Sequence, residues 1–205
     1  GNLIAVGTRG SRAVDRLCRE RGLDASADYP GPEGYVIDVA PDGIVVAGSD
    51  TAGAFYGVLT LAQMIEKGKG AAVEGVTIYD RPDLRMRILF MMKNLLVDKN
   101  VDDAVALIQR ATDCKMNRLF LSDFKFWLLD DMTNRYFDNV ERVKSAARKG
   151  VMEIIPDVSG LGRSEGVLRH NRDLAEGYPV TDAPFVAAGD TAAFLPDRRV
   201  SFPNG

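Results

Sequence analysis

Two cysteines, Cys18 and Cys114, are all the chain has in 205 residues. They lie far apart, each within a helical pattern, so neither a zinc-ligand spacing nor a disulfide framework is available, and both read as buried thiols. The only histidine, His170, sits among Arg169, Asn171, Arg172 and Asp173, polar company that points to solvent and away from metal or catalytic work. No stretch reaches the ~18 apolar residues of a membrane span, and no secretory apolar segment opens the chain. Its first residue is glycine, which reads as the remnant of tag removal, so the missing leader says nothing against export. A formal charge of −3 and the lack of a basic stripe interleaved with aromatics argue against a nucleic-acid partner. There is no internal repeat or low-complexity tract, and no metal or cofactor is expected.

What remains is an ordinary globular composition, 46% hydrophobic and 27% charged, enough for one large core or two small ones. Asn2 to Val6 reads as a strand, and Ser11 to Arg21 as a helix that Gly22 stops. Alternation at Val36 to Ala40, a Pro41-Asp42-Gly43 turn and a β-branched run from Ile44 to Ala47 make a hairpin. Ser49 or Asp50 then caps a helix along which Ala54, Val58, Leu61 and Ile65 repeat at helical spacing. Gly53 and Gly57 leave a neighbouring strip bare, so something packs close there. Val73 to Tyr79 reads as the closing strand.

These residues carry a resemblance. Glu33-Gly34-Tyr35, the hairpin, Ala47-Gly48, Gly53, Phe55-Tyr56-Gly57, Thr60-Leu61 and Gln63 resemble the non-catalytic α/β domain that precedes the barrel in β-N-acetylhexosaminidases of glycoside hydrolase family 20 and their relatives. In those families the domain does no chemistry, so its aromatics are expected in cores and interfaces.

After Asp80-Arg81-Pro82-Asp83 the order changes to strict alternation. Met86 to Met92 is the apolar run of a strand buried on both faces. Asn100 reads as the cap of a helix with Val101, Ala104, Val105, Ile108 and Ala111 on its core face. Arg118 to Ser122 is the next strand, Tyr136, Val140, Val143 and Ala147 line a second helix ended by Gly150, and Val151 to Ile155 is a third strand stopped by Pro156. The fold class is therefore α/β: a small α+β accessory domain over 1–80, then an incomplete TIM-barrel-like (β/α) segment of three units with an irregular tail over 81–205. A full barrel takes about 250 residues, and only about 120 follow Leu84. The tail from Asn171 to Gly205 forms either an elaborated loop or irregular strands at Phe185 to Ala187 and Ala192 to Leu195.

Barrel chemistry sits at the C-terminal strand ends. The resemblance implies four sugar-contacting residues. Arg87 stands five residues after Pro82, where the family carries a sugar-binding arginine, though Ile88 and Met91 replace the glycine and acid of that motif; a salt bridge is the other reading. Asp123 follows the second strand where the family has His then Asp, without the histidine. Trp127, with Phe124 and Phe126, offers an apolar wall to a sugar ring, or hydrophobic packing between the two domains. Asp157 stands in a segment similar to the family's Ile-Pro-Glu, as a hydroxyl acceptor or as an acceptor of backbone N–H groups; Ser159 and Arg163 occupy places where the family has other residues. Asp130 and Asp131, two acids without further oxygen ligands, read as solvated or capping. In the family a Glu after the fourth strand protonates the leaving oxygen, and its Asp neighbour orients the substrate acetamido group. No such pair follows a fourth strand here, so no catalytic residue is assigned. The resemblance implies a fragment of a secreted or periplasmic glycoside hydrolase acting on N-acetylhexosamine-type glycans. The competing expectation is a non-catalytic carbohydrate-binding or scaffold protein. Three parallel strands with an uncovered face also lead us to expect a homo-oligomer, unless the tail folds back over them.

Overall fold

The computed structural model describes residues 3–67, 73–158, 168, 171 and 185–194. The expectations for Ser159, Arg163 and His170 lie outside the described residues. The chain forms two compact units, Gly1–Val158 and Ser159–Gly205.

Two sheets build the first unit. Strands β1 (Leu3–Thr8), β2 (Tyr35–Ala40), β3 (Gly43–Gly48) and β4 (Val76–Asp80) form a four-stranded sheet in the order β1-β3-β2-β4. The turn after Ala40 folds β2 back on β3 as an antiparallel hairpin, while β1 joins β3 in parallel. Alternation sends Val36, Val45 and Ala47 to one face, where they bury Val14 and Cys18 of α1 (Arg12–Arg21). Tyr35, Ile37 and Val46 go to the other, against Tyr56 and Leu61 of α2 (Thr51–Lys67). Helix α1 ends as expected at Gly22, whose φ of 66° is left-handed. Asp50, and not Ser49, caps α2: its Oδ1 accepts the Gly53 N–H at 2.8 Å.

Helix α2 uses only part of the face read from its apolar spacing: Ala54 and Leu61 are buried, and the close packing expected along Gly53 and Gly57 is found. Val58 is 38% and Ile65 42% exposed, because the glycine strip is what faces the sheet. A Cβ on Gly53 would stand 2.0 Å from the Gly34 carbonyl oxygen, and one on Gly57 2.6 Å from Val46. Close approach of backbones sets the helix rotation, and apolar periodicity yields to it.

The second sheet is parallel, β5 (Ile88–Met92), β6 (Arg118–Ser122) and β7 (Glu153–Asp157) in that order. Helices α3 (Asp98–Asp113) and α4 (Asn134–Lys149) connect the strands. Leu89, Met91, Leu119, Leu121 and Ile154 pack with Val101, Ala104, Ile108, Tyr136, Val143 and Ala147 into one apolar cluster. The opposite face is open: Ile88, Phe90 and Met92 are 41%, 58% and 47% exposed, so β5 is not buried on both sides. Three smaller readings also change. Asn100 lies inside α3, and its side chain donates to the Asn94 carbonyl. Pro156 lies within β7, tolerated because that strand has a neighbour on one side only among the described residues. Cys18 is buried, but Cys114 follows α3 and is exposed.

In the second unit, β8 (Phe185–Ala188) and β9 (Thr191–Phe194) pair with each other as an antiparallel hairpin. No described helix is long and apolar enough to cross a membrane.

Gly53→Ala tests the close approach in α2. The added methyl has only backbone to displace, so urea unfolding should show a loss of about 3 kcal/mol, at the upper end for overpacking. An unchanged midpoint would mean that α2 does not sit as described.

Candidate functional site at the strand ends

Parallel pairing aligns the open face of the second sheet into rows. Ile88, Arg118 and Glu153 form the first row, Phe90, Phe120 and Ile155 the second, and Met92, Ser122 and Asp157 the last, at the C-terminal strand ends. In the first, Arg118 Nε lies 2.8 Å from Glu153 Oε2. The second is an apolar floor in which the Phe90 and Phe120 rings lie 5.8 Å apart, tilted by 35°. The third places a hydroxyl and a carboxylate side by side at the rim. Asp157 is half-buried, and its carboxylate makes no ion pair or hydrogen bond with another described residue. A hydroxyl-accepting carboxylate above an apolar shelf is chemistry that suits a sugar ring, whose rim is polar and whose faces carry C–H groups.

Asp123 is one residue beyond that row and turns to the helix side. It is 4% exposed. Its Oδ2 accepts the Leu95 N–H at 2.8 Å and the Tyr136 hydroxyl at 3.2 Å, and its Oδ1 accepts the Lys125 N–H at 3.1 Å. Lys125 Nζ stands 3.8 Å away. Such a carboxylate orders the loops after β5 and β6. Burial, then the neighbouring Asp123 charge, raises the Tyr136 hydroxyl pKa. Phe124 to Trp127 form a 3₁₀ turn capped by Asp123. Within it Phe126 packs against the second apolar cluster, Phe124 is 43% exposed, and Trp127 is half-buried. The exposed acids Asp130 and Asp131 lie in the next 3₁₀ turn. No metal-holding group of three or more His, Cys, Asp or Glu occurs among the described residues.

Arg87 is at the other end of the sheet, just before β5. Its Nη2 reaches Glu33 Oε2 at 2.8 Å and the Tyr56 hydroxyl at 3.1 Å. Its Nε and Nη1 each donate at 2.6 Å, to the Lys115 and Leu84 carbonyls. The structure thus brings Asp157 to the strand-end rim, turns Asp123 away from it and sets Arg87 apart from both. Sequence reasoning passed over Lys115, and it noted Asn117 only as similar to a family asparagine, without a role. Asn117 is 2% exposed; it ties the N-terminal ends of the strands together, its Oδ1 accepting the Arg87 N–H at 3.0 Å and its carbonyl the Glu153 N–H at 3.1 Å. Lys115 has a φ of 57°, and its ammonium lies 2.7 Å from the Tyr35 hydroxyl and 3.3 Å from Asp80 Oδ2. Burial first, then the Asp80 hydrogen bond, raises the Tyr35 pKa. The available signal was a polar Asn117 at the entry of an apolar strand, which spacing alone does not distinguish from a surface residue.

Comparison with known proteins agrees with this architecture. Residues 7–81 match the family model described as glycosyl hydrolase family 20, domain 2. The Beta-hexosaminidase of Vibrio vulnificus is 37% identical over 97 residues, which are 47% of this chain and 11% of that protein. A beta-N-acetylhexosaminidase from Bacteroides fragilis aligns with a TM-score of 0.60 at 20% identity, covering 85% of this chain and 43% of the other. A family 20 beta-N-acetylglucosaminidase aligns with a TM-score of 0.54 at 19% identity, covering 82% and 40%. The two structures speak to the fold, which is mixed α/β. The chain is β-hexosaminidase-like, and its matched stretch spans about a tenth of the curated relative's length.

Asp123→Asn replaces an acceptor oxygen with an N–H₂ group among three donors and should cost about 1–3 kcal/mol. Asp157→Asn should change stability by less than about 0.5 kcal/mol. Urea midpoints of the two variants check this, and the reverse order would exchange their roles.

Proposed function

We propose that this chain, β-hexosaminidase-like and with a family 20 domain in its first part, is the accessory α/β layer and the first three βα units of a glycoside hydrolase barrel. The parent protein would act on glycans with N-acetylhexosamine-type sugars. In this reading the accessory layer covers 1–80, and the second sheet with its two helices opens the barrel. Its exposed row of Ile88, Phe90 and Met92 is then barrel wall that further strands or a second copy of the chain would cover. Export to the periplasm or the exterior accompanies this reading, since glycan substrates are met there.

The observation that carries it is the last row of the open face, where Asp157 and Ser122 stand at the C-terminal strand ends beside the Phe90 and Phe120 floor. Active residues of (β/α) barrels gather at that end. Asp157 would accept a sugar hydroxyl, with Trp127 as a flanking aromatic. The carboxylate that protonates the leaving oxygen would come from residues beyond the third strand, since no described acid stands in that relation to the rim.

A second reading has its own support. Asp123 and Arg87, expected at the sugar, spend their hydrogen bonds on the protein itself. A site that retains one carboxylate and an aromatic can bind a sugar without cleaving it, so a carbohydrate-binding or scaffold role is the alternative.

Both readings place a sugar at the strand ends, and amide NMR of the 205-residue chain titrated with N-acetylglucosamine tests that. The shifts should cluster at Met92, Ser122 and Asp157, Asp157→Ala should weaken binding about tenfold, and aryl N-acetyl-β-hexosaminides should not be hydrolysed. Shifts elsewhere, or none, would remove the site. Turnover that survives repurification would instead contradict the placement of the general acid outside these residues.

A further inference from the structure

The two sheets of the first unit have separate apolar cores. Among the described residues, one cluster draws only on residues between Met91 and Met152, with Leu89 and Ile154 at its margin, and the other two only on residues between Ala5 and Ile78. The side-chain hydrogen bonds that cross are polar. The Glu33 carboxylate accepts from Arg87 Nη2 at 2.8 Å and Asn117 Nδ2 at 3.0 Å. Arg87 also lies over the Tyr56 ring, 5.5 Å from its centre. Lys115 Nζ donates to Tyr35 and Asp80, and Gln63 Nε2 donates to the Asp113 carbonyl at 3.3 Å.

Backbone conformation points to the same seam. Glu33 on one side and Lys115 on the other have φ values of 58° and 57°, a left-handed conformation uncommon for residues with a side chain. It persists where surrounding contacts over-determine it. The Glu33 N–H is held by Asp50 Oδ2 at 2.9 Å, so the α2 cap that positions Gly53 also aims the Glu33 carboxylate. Across the seam, Asn117 joins that carboxylate to the ends of all three parallel strands: its Oδ1 holds the Arg87 N–H before β5, its Nδ2 the Arg85 carbonyl, and its own carbonyl the first N–H of β7.

We propose that Glu33, Arg87 and Asn117 form an interlayer lock through which the family 20 domain and the parallel sheet open as one cooperative unit. Arg87 is a positioning residue in this lock. The inference goes beyond the glycan reading and holds whether or not a sugar binds.

Hydrogen exchange of the full chain under native conditions tests it, with the β3 and β6 amides as reporters. Val45→Ala removes packing from the α1-side cluster alone. It should raise exchange by the same factor in β3 and β6 of the otherwise native chain, because opening one opens the other. In an E33Q background the same change should raise β3 exchange and leave β6 unmoved. A rise in β3 alone without E33Q would overturn cooperativity, and an equal rise in both with E33Q would overturn the role of Glu33. Where the double variant does not fold, E33Q alone decides. Faster exchange in both strands but by clearly different factors, about tenfold or more in at least one, supports the lock, since each layer then opens on its own and a hydrogen bond to a charged group is worth about that factor; equal rises in both strands count against it.

Discussion

The Glu33 carboxylate, gripped by Arg87 and Asn117, is the constraint on which the placement of everything downstream depends, because no shared apolar core joins the two sheets among the described residues. Its strength rests on geometry more than on charge. Taking an ion pair out of water costs several kcal/mol per ion, and only a well-satisfied network returns it. Here Arg87 and Glu33 side chains are 13% and 25% exposed. Every guanidinium nitrogen of Arg87 finds an oxygen, and both carboxylate oxygens of Glu33 find nitrogen donors. Half-satisfied, the same seam would be a liability.

From that seam the consequences run along the strands. Asn117 aligns the entries of β5, β6 and β7, and a fixed register carries that alignment to the far ends, where Met92, Ser122 and Asp157 come into one row. Asp123 then secures the loops that leave the row, holding Leu95 after β5 and the 3₁₀ turn after β6. The polar residues at one end of the sheet thus position those at the other. Arg87 and Asp123, which resembled sugar contacts, do the holding, and the Asp157 carboxylate pairs with no other described residue.

Much of the fold was legible because it follows from local rules. The hairpin at Pro41-Asp42-Gly43, the stop at Gly22, strand β6 and the core faces of α3 and α4 each needed only periodicity or turn chemistry. In helix α2 the close approach along Gly53 and Gly57 is legible from their missing side chains, whereas the exposure of Val58 and Ile65 is not, since the Gly34 carbonyl fixes the helix rotation. Pro156 was misread for a related reason: whether proline ends a strand depends on whether that strand lies at an edge. For the site, strand β6 was read with its true bounds, but the partners that hold Asp123 on the helix side, the Leu95 N–H and the Tyr136 hydroxyl, are remote in sequence, and Asp157 falls within β7 and not after it. A salt bridge was one reading of Arg87, but its partner Glu33 is 54 residues away in sequence, and the same carboxylate is 84 residues from Asn117.

Equilibrium unfolding in urea, followed by two local probes in one sample, tests the joined-sheet account most directly. Fluorescence of Trp127, the only tryptophan, reports the parallel sheet, and the reactivity of buried Cys18 reports the first, with Cys114 replaced by serine so that one thiol remains. Burial raises the Cys18 pKa, with Arg9 partly opposing it, so the folded thiol should be slow to react. The account predicts a single midpoint for both probes. Loss of Cys18 protection at a urea concentration where Trp127 still reports a folded sheet would contradict it.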